Sequence, residues 1–166
     1  MSPDPGDLFV RYAESLYRYF HRLTGRADAA ADLTQDVFLR IVRGVHRYEA
    51  RGHEAGWVFR LAQHVLADRY RRSNRPCELP LSDVDTRPEE PDRILAIGFE
   101  EALGLLGEAD RQVYLLREQG GLTYTEIADV CGLTKPAVRA RLYRARAHLK
   151  RLLGGPRRDR RSDGER

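Results

Sequence analysis

The chain has 166 residues, 42% of them hydrophobic, which is enough for one or two small domains that each bury a modest core. Its net charge is only +4, yet basic residues concentrate in 69–75 and after Lys135, whereas 78–92 is mostly acidic. The two cysteines form no metal-binding pattern, and no apolar run approaches the ~20 residues of a membrane span. These features argue against a disulfide framework, a metal or cofactor site and a membrane segment, and they predict a soluble, cytoplasmic protein.

The first half of the chain is predicted to form three amphipathic helices, at about 7–23, 28–48 and 54–72. Because no strand-like alternating run of useful length occurs, we expect an all-α fold. Periodicity places these residues in the core: Phe9, Tyr12, Leu16, Phe20 and Leu23 of the first helix; Ala30, Leu33, Val37, Phe38, Ile41 and Val45 of the second; Val58, Leu61, Ala62 and Val65 of the third.

The second helix also has a polar face, made of Asp32, Gln35, Asp36, Leu39 and Arg43. Acidic residues near the start of a helix are favoured by the positive end of its dipole, and a lone exposed leucine carries little meaning. On the residues alone, we interpret this face as solvated helix surface.

The third helix carries aromatic and basic side chains opposite its core stripe: Phe59, Arg60, Gln63, Ala67, Tyr70 and Arg71. This mixture is typical of single-stranded nucleic-acid binding, because bases stack on rings while guanidinium groups meet phosphates. Large aromatic side chains are more often core residues, so both interpretations stay open for Trp57 and Phe59.

A change in composition divides the chain. Residues 73–91 contain four prolines and several acids without an amphipathic period, which indicates a flexible acidic linker. We therefore expect two small helical domains, at 1–75 and 92–154, joined by a linker at 76–91 and followed by a disordered basic tail at 155–166.

The second domain should begin with helices at about 91–106 and 108–119. Their predicted core residues are Ile94, Leu95, Ile97, Leu103, Leu106, Val113, Leu115 and Leu116.

A helix-turn-helix is predicted from Thr123 to Arg146. Thr123 and Glu126 have the spacing of a capping box, and Gly132 tolerates the left-handed backbone of a tight helix exit. Thr134 and Pro136 are placed to start the next helix.

The second helix of this motif is cationic, with Lys135, Arg139, Arg141, Arg144 and Arg146 around Tyr143. A solvated basic face is the alternative interpretation. The combination of capping box, glycine turn, capped second helix and arginines on that helix alone favours DNA binding.

Three passages resemble a known family, the small two-domain extracytoplasmic-function sigma factors of bacterial RNA polymerase. Residues 32–38, DLTQDVF, are similar to the family's D-L-x-Q-[DE]-x-F signature, and 57–62, WVFRLA, to its W-L-[FY]-x-I-A stretch. The segment 123–146 is similar to its C-terminal helix-turn-helix. The resemblance covers about 7–153 and implies a promoter-specificity subunit without a catalytic site.

The resemblance implies three sets of site residues. Core polymerase would dock its clamp helices on Asp32, Gln35, Asp36, Leu39 and Arg43. The minus-ten element, opened as a single strand, would contact Trp57, Arg60, Gln63, His64, Tyr70 and Arg71. The minus-thirty-five element would be read as duplex by Lys135, Arg139, Ala140, Tyr143, Arg144 and Arg146. An anti-sigma protein is a further implied partner.

The sequence departs from the family in two places. The family commonly has arginine-asparagine where this chain has Gln63-His64. Pro136 and Ala137 replace a usual glycine-threonine pair, and Ala140, which replaces a common serine, offers a base only a methyl contact.

Two other classes of protein compete with this interpretation. A free-standing helix-turn-helix regulator would use the first domain as a sensor or dimer module, but it would not require the signature at 32–38. A metal-dependent nucleic-acid enzyme built on Asp32, Asp36 or Asp68 lacks a third ligand placed with them.

Overall fold

The computed structural model describes residues 2–49, 53–73 and 98–154. The regular elements in these ranges are all helical, which confirms the predicted all-α class. In chain order they are α1 (Pro5–Thr24), α2 (Ala27–Gly44), a 3₁₀ turn (Val45–Arg47), α3 (Glu54–Arg72), α4 (Phe99–Gly104), α5 (Glu108–Glu118), α6 (Tyr124–Cys131) and α7 (Lys135–Leu153). None of these helices combines the length and apolar character needed to cross a membrane. The predicted linker, the predicted tail and the core predictions for Ile94, Leu95 and Ile97 lie outside the described residues.

Local signals set the helix ends in the first half of the chain. The carboxylate of Asp4 accepts hydrogen bonds from the amides of Gly6 and Asp7 and so caps the start of α1. The helix is followed by Gly25, which has φ 69°. The second helix was predicted to continue to Tyr48, but α2 ends at Gly44 and the chain then makes one 3₁₀ turn. Glycine has the largest backbone entropy cost in a helix, so the helix is weakest there.

The buried face of α1 is wider than its predicted stripe. Leu16 and Phe20 are buried as predicted, but the prediction for Phe9 was wrong, since its side chain is 55% exposed and Leu8 and Tyr19 are fully buried instead. The reason is that α1 packs on α2 and also on α4 and α5 of the second half. Periodicity alone does not reveal this second neighbour.

The second half follows its predicted pattern closely. Leu103, Leu106, Val113, Leu115 and Leu116 are all buried, as periodicity required. Of the helix predicted at 91–106, the described residues contain α4, which ends at Gly104.

The helix-turn-helix is confirmed in its local geometry. Thr123 and Glu126 form both hydrogen bonds of the capping box, and Gly132 has φ 66° at the end of α6. The hydroxyl of Thr134 accepts from the amide of Ala137, and Pro136 lies in the first turn of α7.

The two halves share one continuous hydrophobic core. Phe59 of α3 is fully buried. Its ring is perpendicular to the ring of Tyr19 on α1, and the two ring centroids lie 5.5 Å apart. On the side of the second half, the tip of this ring lies next to Gly120. Phe59 is therefore a core residue that joins the halves, while Trp57 is half-buried.

We expect Thr123→Ala to lower the free energy of unfolding by about 1 kcal/mol, the usual cost of losing a threonine cap. Thr123 Oγ1 accepts from the Glu126 amide at 3.3 Å, and Glu126 Oε2 accepts from the Thr123 amide at 2.8 Å. Urea unfolding followed by circular dichroism measures the change. Thr125→Ala, an exposed threonine in the same turn, is the matched control. Equal losses in both variants would contradict the capping argument.

Candidate protein-docking and nucleic-acid interfaces

The first candidate surface is the polar face of α2. Its five predicted residues, Asp32, Gln35, Asp36, Leu39 and Arg43, are all exposed, and Leu39 is 47% exposed. They form one outward face because the opposite side of α2 buries its aliphatic residues against α1 and α3. The solvated-surface interpretation and the docking interpretation both require this exposure, so exposure alone does not choose between them.

A polar groove of about 330 Å³ runs beside this face, between α2 and α3. Its lining residues are Asp32, Gln35, Asp36, Arg40, Val65, Asp68, Arg69 and Arg72. Guanidinium groups of Arg40 and Arg71 both donate to the Asp68 carboxylate. Those hydrogen bonds, that from Arg40 above all, lower the pKa of Asp68 to about 2. The Asp68–Arg40 pair thus joins α2 to α3.

An apolar patch continues the α2 face toward α1, and the sequence did not predict it. The ring of Phe9 lies 4.8 Å from that of Phe38, and Val42 is 60% exposed one turn after Phe38 and Leu39. The available signal was Val42, which follows Leu39 by one helical turn, so that two apolar side chains lie outside the predicted core stripe.

The second candidate surface is the outer side of α3. Arg60, His64 and Arg71 are exposed, whereas Trp57 and Tyr70 are half-buried. The Trp57 ring packs at 4.8 Å on Tyr48, which follows the 3₁₀ turn. This surface therefore presents basic groups beside half-buried aromatic side chains, an arrangement suited to an unpaired nucleic-acid strand.

Gln63, the sixth residue predicted for this surface, is not at the surface. Its side chain is buried, its Nε2 donates to the Tyr19 hydroxyl at 2.6 Å, and its Oε1 accepts from Gln112 Nε2 at 2.5 Å. In this arrangement the Gln63 amide uses one N–H and its oxygen on protein partners. Gln112 is a polar residue that sequence reasoning missed, because its partner Gln63 is distant in the chain.

The third candidate surface is the exposed side of α7. Lys135, Arg139, Ala140 and Tyr143 are exposed, and Tyr143 is the most open of the large apolar side chains there, at 76%. Arg141 was predicted to belong to this cationic side, but it is buried, with its Nη1 3.6 Å from Asp110. The prediction for Arg141 was wrong because an acidic partner on α5 faces it.

Two further arginines of α7 are held by acids of α5. Arg144 donates from Nε and Nη2 to the two carboxylate oxygens of Asp110 at 3.1 and 3.0 Å, and Arg146 Nη2 donates to Glu118 at 2.8 Å. Both arginines keep about half of their side-chain surface exposed, 54% and 49%. Their guanidinium groups are thus oriented before any ligand arrives.

Comparison with protein families gives two matches in the order expected from these surfaces. The model described as "Sigma-70 region 2" matches residues 8–76, and that described as "Sigma-70, region 4" matches residues 98–149. The first match contains the α2 and α3 surfaces, and the second contains the helix-turn-helix.

Individual proteins of the same kind are similar along most of the chain. The ECF RNA polymerase sigma factor SigC of Mycobacterium tuberculosis is 35% identical over 152 residues, which are 86% of this chain and 80% of that protein. The ECF RNA polymerase sigma factor SigE of Mycolicibacterium smegmatis is 32% identical over 160 residues, 91% of this chain. The chain spans only about three fifths of SigE, 62% of its length.

A solved structure shares the fold. The sigma factor RpoE of Bartonella quintana, crystallised with the anti-sigma factor NepR, superposes with a TM-score of 0.71 at 23% identity. The superposition covers 92% of this chain and 98% of that one.

Proposed function

The chain belongs to the ECF sigma factors of RNA polymerase, and from this membership we propose that it binds core polymerase and directs promoter-specific transcription initiation. The observation that carries the proposal is the α2 face, whose five residues of the docking set are all exposed. A solvated surface requires no particular sequence, whereas three residues of this face, Asp32, Gln35 and Asp36, belong to the D-L-x-Q-[DE]-x-F signature. The proposal assigns no catalytic step and no cofactor to the chain, and it places its action in the cytoplasm.

We propose that the two halves divide the work on DNA. The domain at 1–75 would dock on the clamp helices and hold the opened minus-ten strand on α3, and the domain at 92–154 would place α7 in the major groove of the minus-thirty-five element. Exposed Arg60 and His64 support the first assignment, and exposed Lys135 and Arg139 support the second. Specificity then comes from two weak sites that polymerase holds at fixed spacing.

An anti-sigma partner is a further part of the proposal. Its binding site would be the apolar patch beside the polar α2 face, formed by Phe9, Phe38, Leu39 and Val42. A protein bound there would also cover the polymerase-docking residues.

The test is in vitro transcription with purified core polymerase. We expect promoter-specific transcripts only when this chain is added. Specific DNA binding without polymerase, together with no initiation in its presence, would instead identify a free-standing helix-turn-helix regulator.

Asp36→Arg should weaken binding to core polymerase about tenfold, because a charge at the rim of an interface then meets repulsion instead of attraction. The variant should keep its helical circular-dichroism spectrum, since Asp36 is exposed. Glu14→Arg on α1 is the matched charge reversal, at a side chain that is 75% exposed. Loss of helicity in the Asp36 variant, or equal weakening by both variants, would contradict the docking assignment.

A further inference from the structure

A single carboxylate connects the two candidate surfaces in the first half of the chain. Asp68 lies on α3, and its two carboxylate oxygens accept hydrogen bonds from different arginines. Oδ2 accepts from Arg40 of α2, and Oδ1 accepts from Arg71, which is three residues later on α3. Arg40 lines the groove beside the polar α2 face, whereas Arg71 belongs to the outer side of α3. Asp68 therefore lies between the face assigned to polymerase and the surface assigned to the opened DNA strand.

Arg71 lies in one row with two other basic side chains of the α3 surface. Arg60, His64 and Arg71 are all exposed, and their positions are i, i+4 and i+11. At 100° per residue, the three lie within about 40° of one another around the helix. Asp68 lies about 60° from Arg71, at the edge of this row that faces α2. The carboxylate can thus hold Arg71 from the side without covering the row.

The three side chains of this cluster differ in their exposure to solvent. Arg71 is 72% exposed, Arg40 is 35% exposed and Asp68 is 26% exposed. An exposed ion pair within one helix is weak alone, because it orders two side chains that water would otherwise solvate. Here Arg40 supplies a second hydrogen bond from a neighbouring helix. The Asp68 carboxylate is therefore held in place independently of Arg71.

The charge state of Asp68 suits it to hold an arginine. The hydrogen bond from Arg40, and next that from Arg71, lower the pKa of Asp68 to about 2, so the carboxylate is ionised near neutral pH. Hydrogen bonds between a guanidinium and an ionised carboxylate are the stronger kind. Two guanidinium groups and one carboxylate leave one net positive charge on the cluster, so Arg71 still attracts a phosphate.

We propose that Asp68 is a positioning residue for the opened minus-ten strand: it holds the guanidinium of Arg71 in the orientation in which that group meets the DNA, and Arg40 holds Asp68. This role rests on the proposed function, since without an opened strand Arg71 has no ligand to meet. Asp68 engages Nη2 of Arg71 and leaves Nε and Nη1 to other partners. The strand contacts Arg71 and not Asp68, whose negative charge repels phosphates.

The energetic benefit is entropic. A flexible arginine loses rotamer freedom when it binds a phosphate, and that loss lowers the affinity. An arginine that a fixed carboxylate already orients loses less freedom on binding. Asp68 thus raises the affinity for the strand through Arg71, although its own charge opposes the binding of DNA.

The Asp68→Ala substitution distinguishes orientation from charge, because the two effects have opposite signs. The substitution removes one negative charge beside the DNA surface, which alone would strengthen binding to any strand. It also removes both hydrogen bonds and releases the guanidinium of Arg71. Positioning therefore predicts weaker binding of the opened strand even though the chain becomes more positive. Alanine is a good helix former, so α3 should be kept.

The test measures strand binding by the chain in complex with core polymerase. The probe is a fluorescent fork DNA with a single-stranded minus-ten segment, built from a promoter that the chain uses in the transcription assay, and anisotropy gives its affinity. Asp68→Ala should weaken binding about two- to tenfold. Asp68→Glu keeps a carboxylate and should recover most of the loss. Glu14→Ala on α1 is the matched control, because it removes an equal charge and breaks an ion pair with Arg18 at 2.5 Å.

A second measurement shows whether Asp68 acts through Arg71, which a merely structural role would not require. In an Arg71→Ala chain, the further substitution Asp68→Ala should weaken strand binding by less than about twofold, because no guanidinium remains to be oriented. Each variant should keep the circular-dichroism spectrum and the affinity for core polymerase of the unmodified chain. Equal losses from Asp68→Ala in the two backgrounds would overturn the positioning role.

The outcomes separate this role from the proposed function. An Asp68→Ala chain that binds the fork as tightly as the unmodified chain, or more tightly, overturns the role of Asp68 and leaves the sigma-factor function intact. An unmodified chain that initiates from no promoter with core polymerase contradicts the proposed function and the role of Asp68 with it.

Discussion

Phe59→Ala is expected to lower the free energy of unfolding by about 3–5 kcal/mol, the cost typical of removing a buried phenylalanine ring. Phe59 is fully buried, packs edge-on against Tyr19 at 5.5 Å and reaches Gly120 in the other half of the chain. The surrounding backbone is close-packed at Gly120, so the cavity should collapse only partly. For a chain of this length the melting temperature should fall by roughly 6–20 °C, measured by circular dichroism at the helix band.

Phe9→Ala is the matched control, because it removes the same side chain from a site where 55% of it is exposed. Its ring contacts Phe38 at 4.8 Å, so a small loss is expected, about 1 kcal/mol. If both variants lost the same stability, Phe59 would not be the residue that joins the two halves into one core.

These two phenylalanines mark the limit of reasoning from the sequence. Phe9 falls on the 3.6-residue stripe of the first helix, and Phe59 falls on the opposite side of the third helix from its stripe. Periodicity would predict the burial of both residues correctly if each helix packed against a single neighbour. The structure differs because α1 and α3 also pack against the second half, and a contact between distant segments leaves no trace in local periodicity.

Features that depend on neighbouring residues were predicted well. The capping box of Thr123 and Glu126, the glycine exit at Gly132 and the cap at Thr134 all use atoms within three or four residues of each other. The helix-turn-helix was therefore predictable from the sequence. So was the exposure of the α2 face, which follows from the burial of the opposite side.

Polar residues with partners on another helix were not predictable in the same way. Arg141 was assigned to the cationic side of α7, and only the position of Asp110 on α5 explains its burial. Gln63 and Gln112 form a hydrogen bond with each other although they are 49 positions apart in the sequence. The roles of the exposed residues came from the family resemblance, because exposure alone does not name a partner.

The arginines of α7 differ in whether an acid of α5 holds them, and this difference predicts different contacts with DNA. Arg139 is exposed and lies in the second turn of α7. In helix-turn-helix proteins, the N-terminal residues of the second helix usually contact base edges. Arg139→Ala should weaken promoter binding of the polymerase complex by about 1–3 kcal/mol and relax the preference at one base pair. Lys150→Ala removes the same charge from the far end of α7 and should leave that preference unchanged.

Arg144→Ala should also weaken promoter binding, but without a change of base preference. Asp110 holds the guanidinium of Arg144 through two hydrogen bonds, which fixes its direction but leaves fewer donors for a bidentate contact with a base. A contact to a phosphate needs fewer donors, so we expect a loss that is uniform over promoter sequences and a smaller dependence of binding on salt. Binding measured on a set of single-base-pair promoter variants at two salt concentrations separates these cases. A change of base preference in the Arg144 variant, and none in the Arg139 variant, would reverse the assignment and make the Asp110–Arg144 pair the base-reading unit.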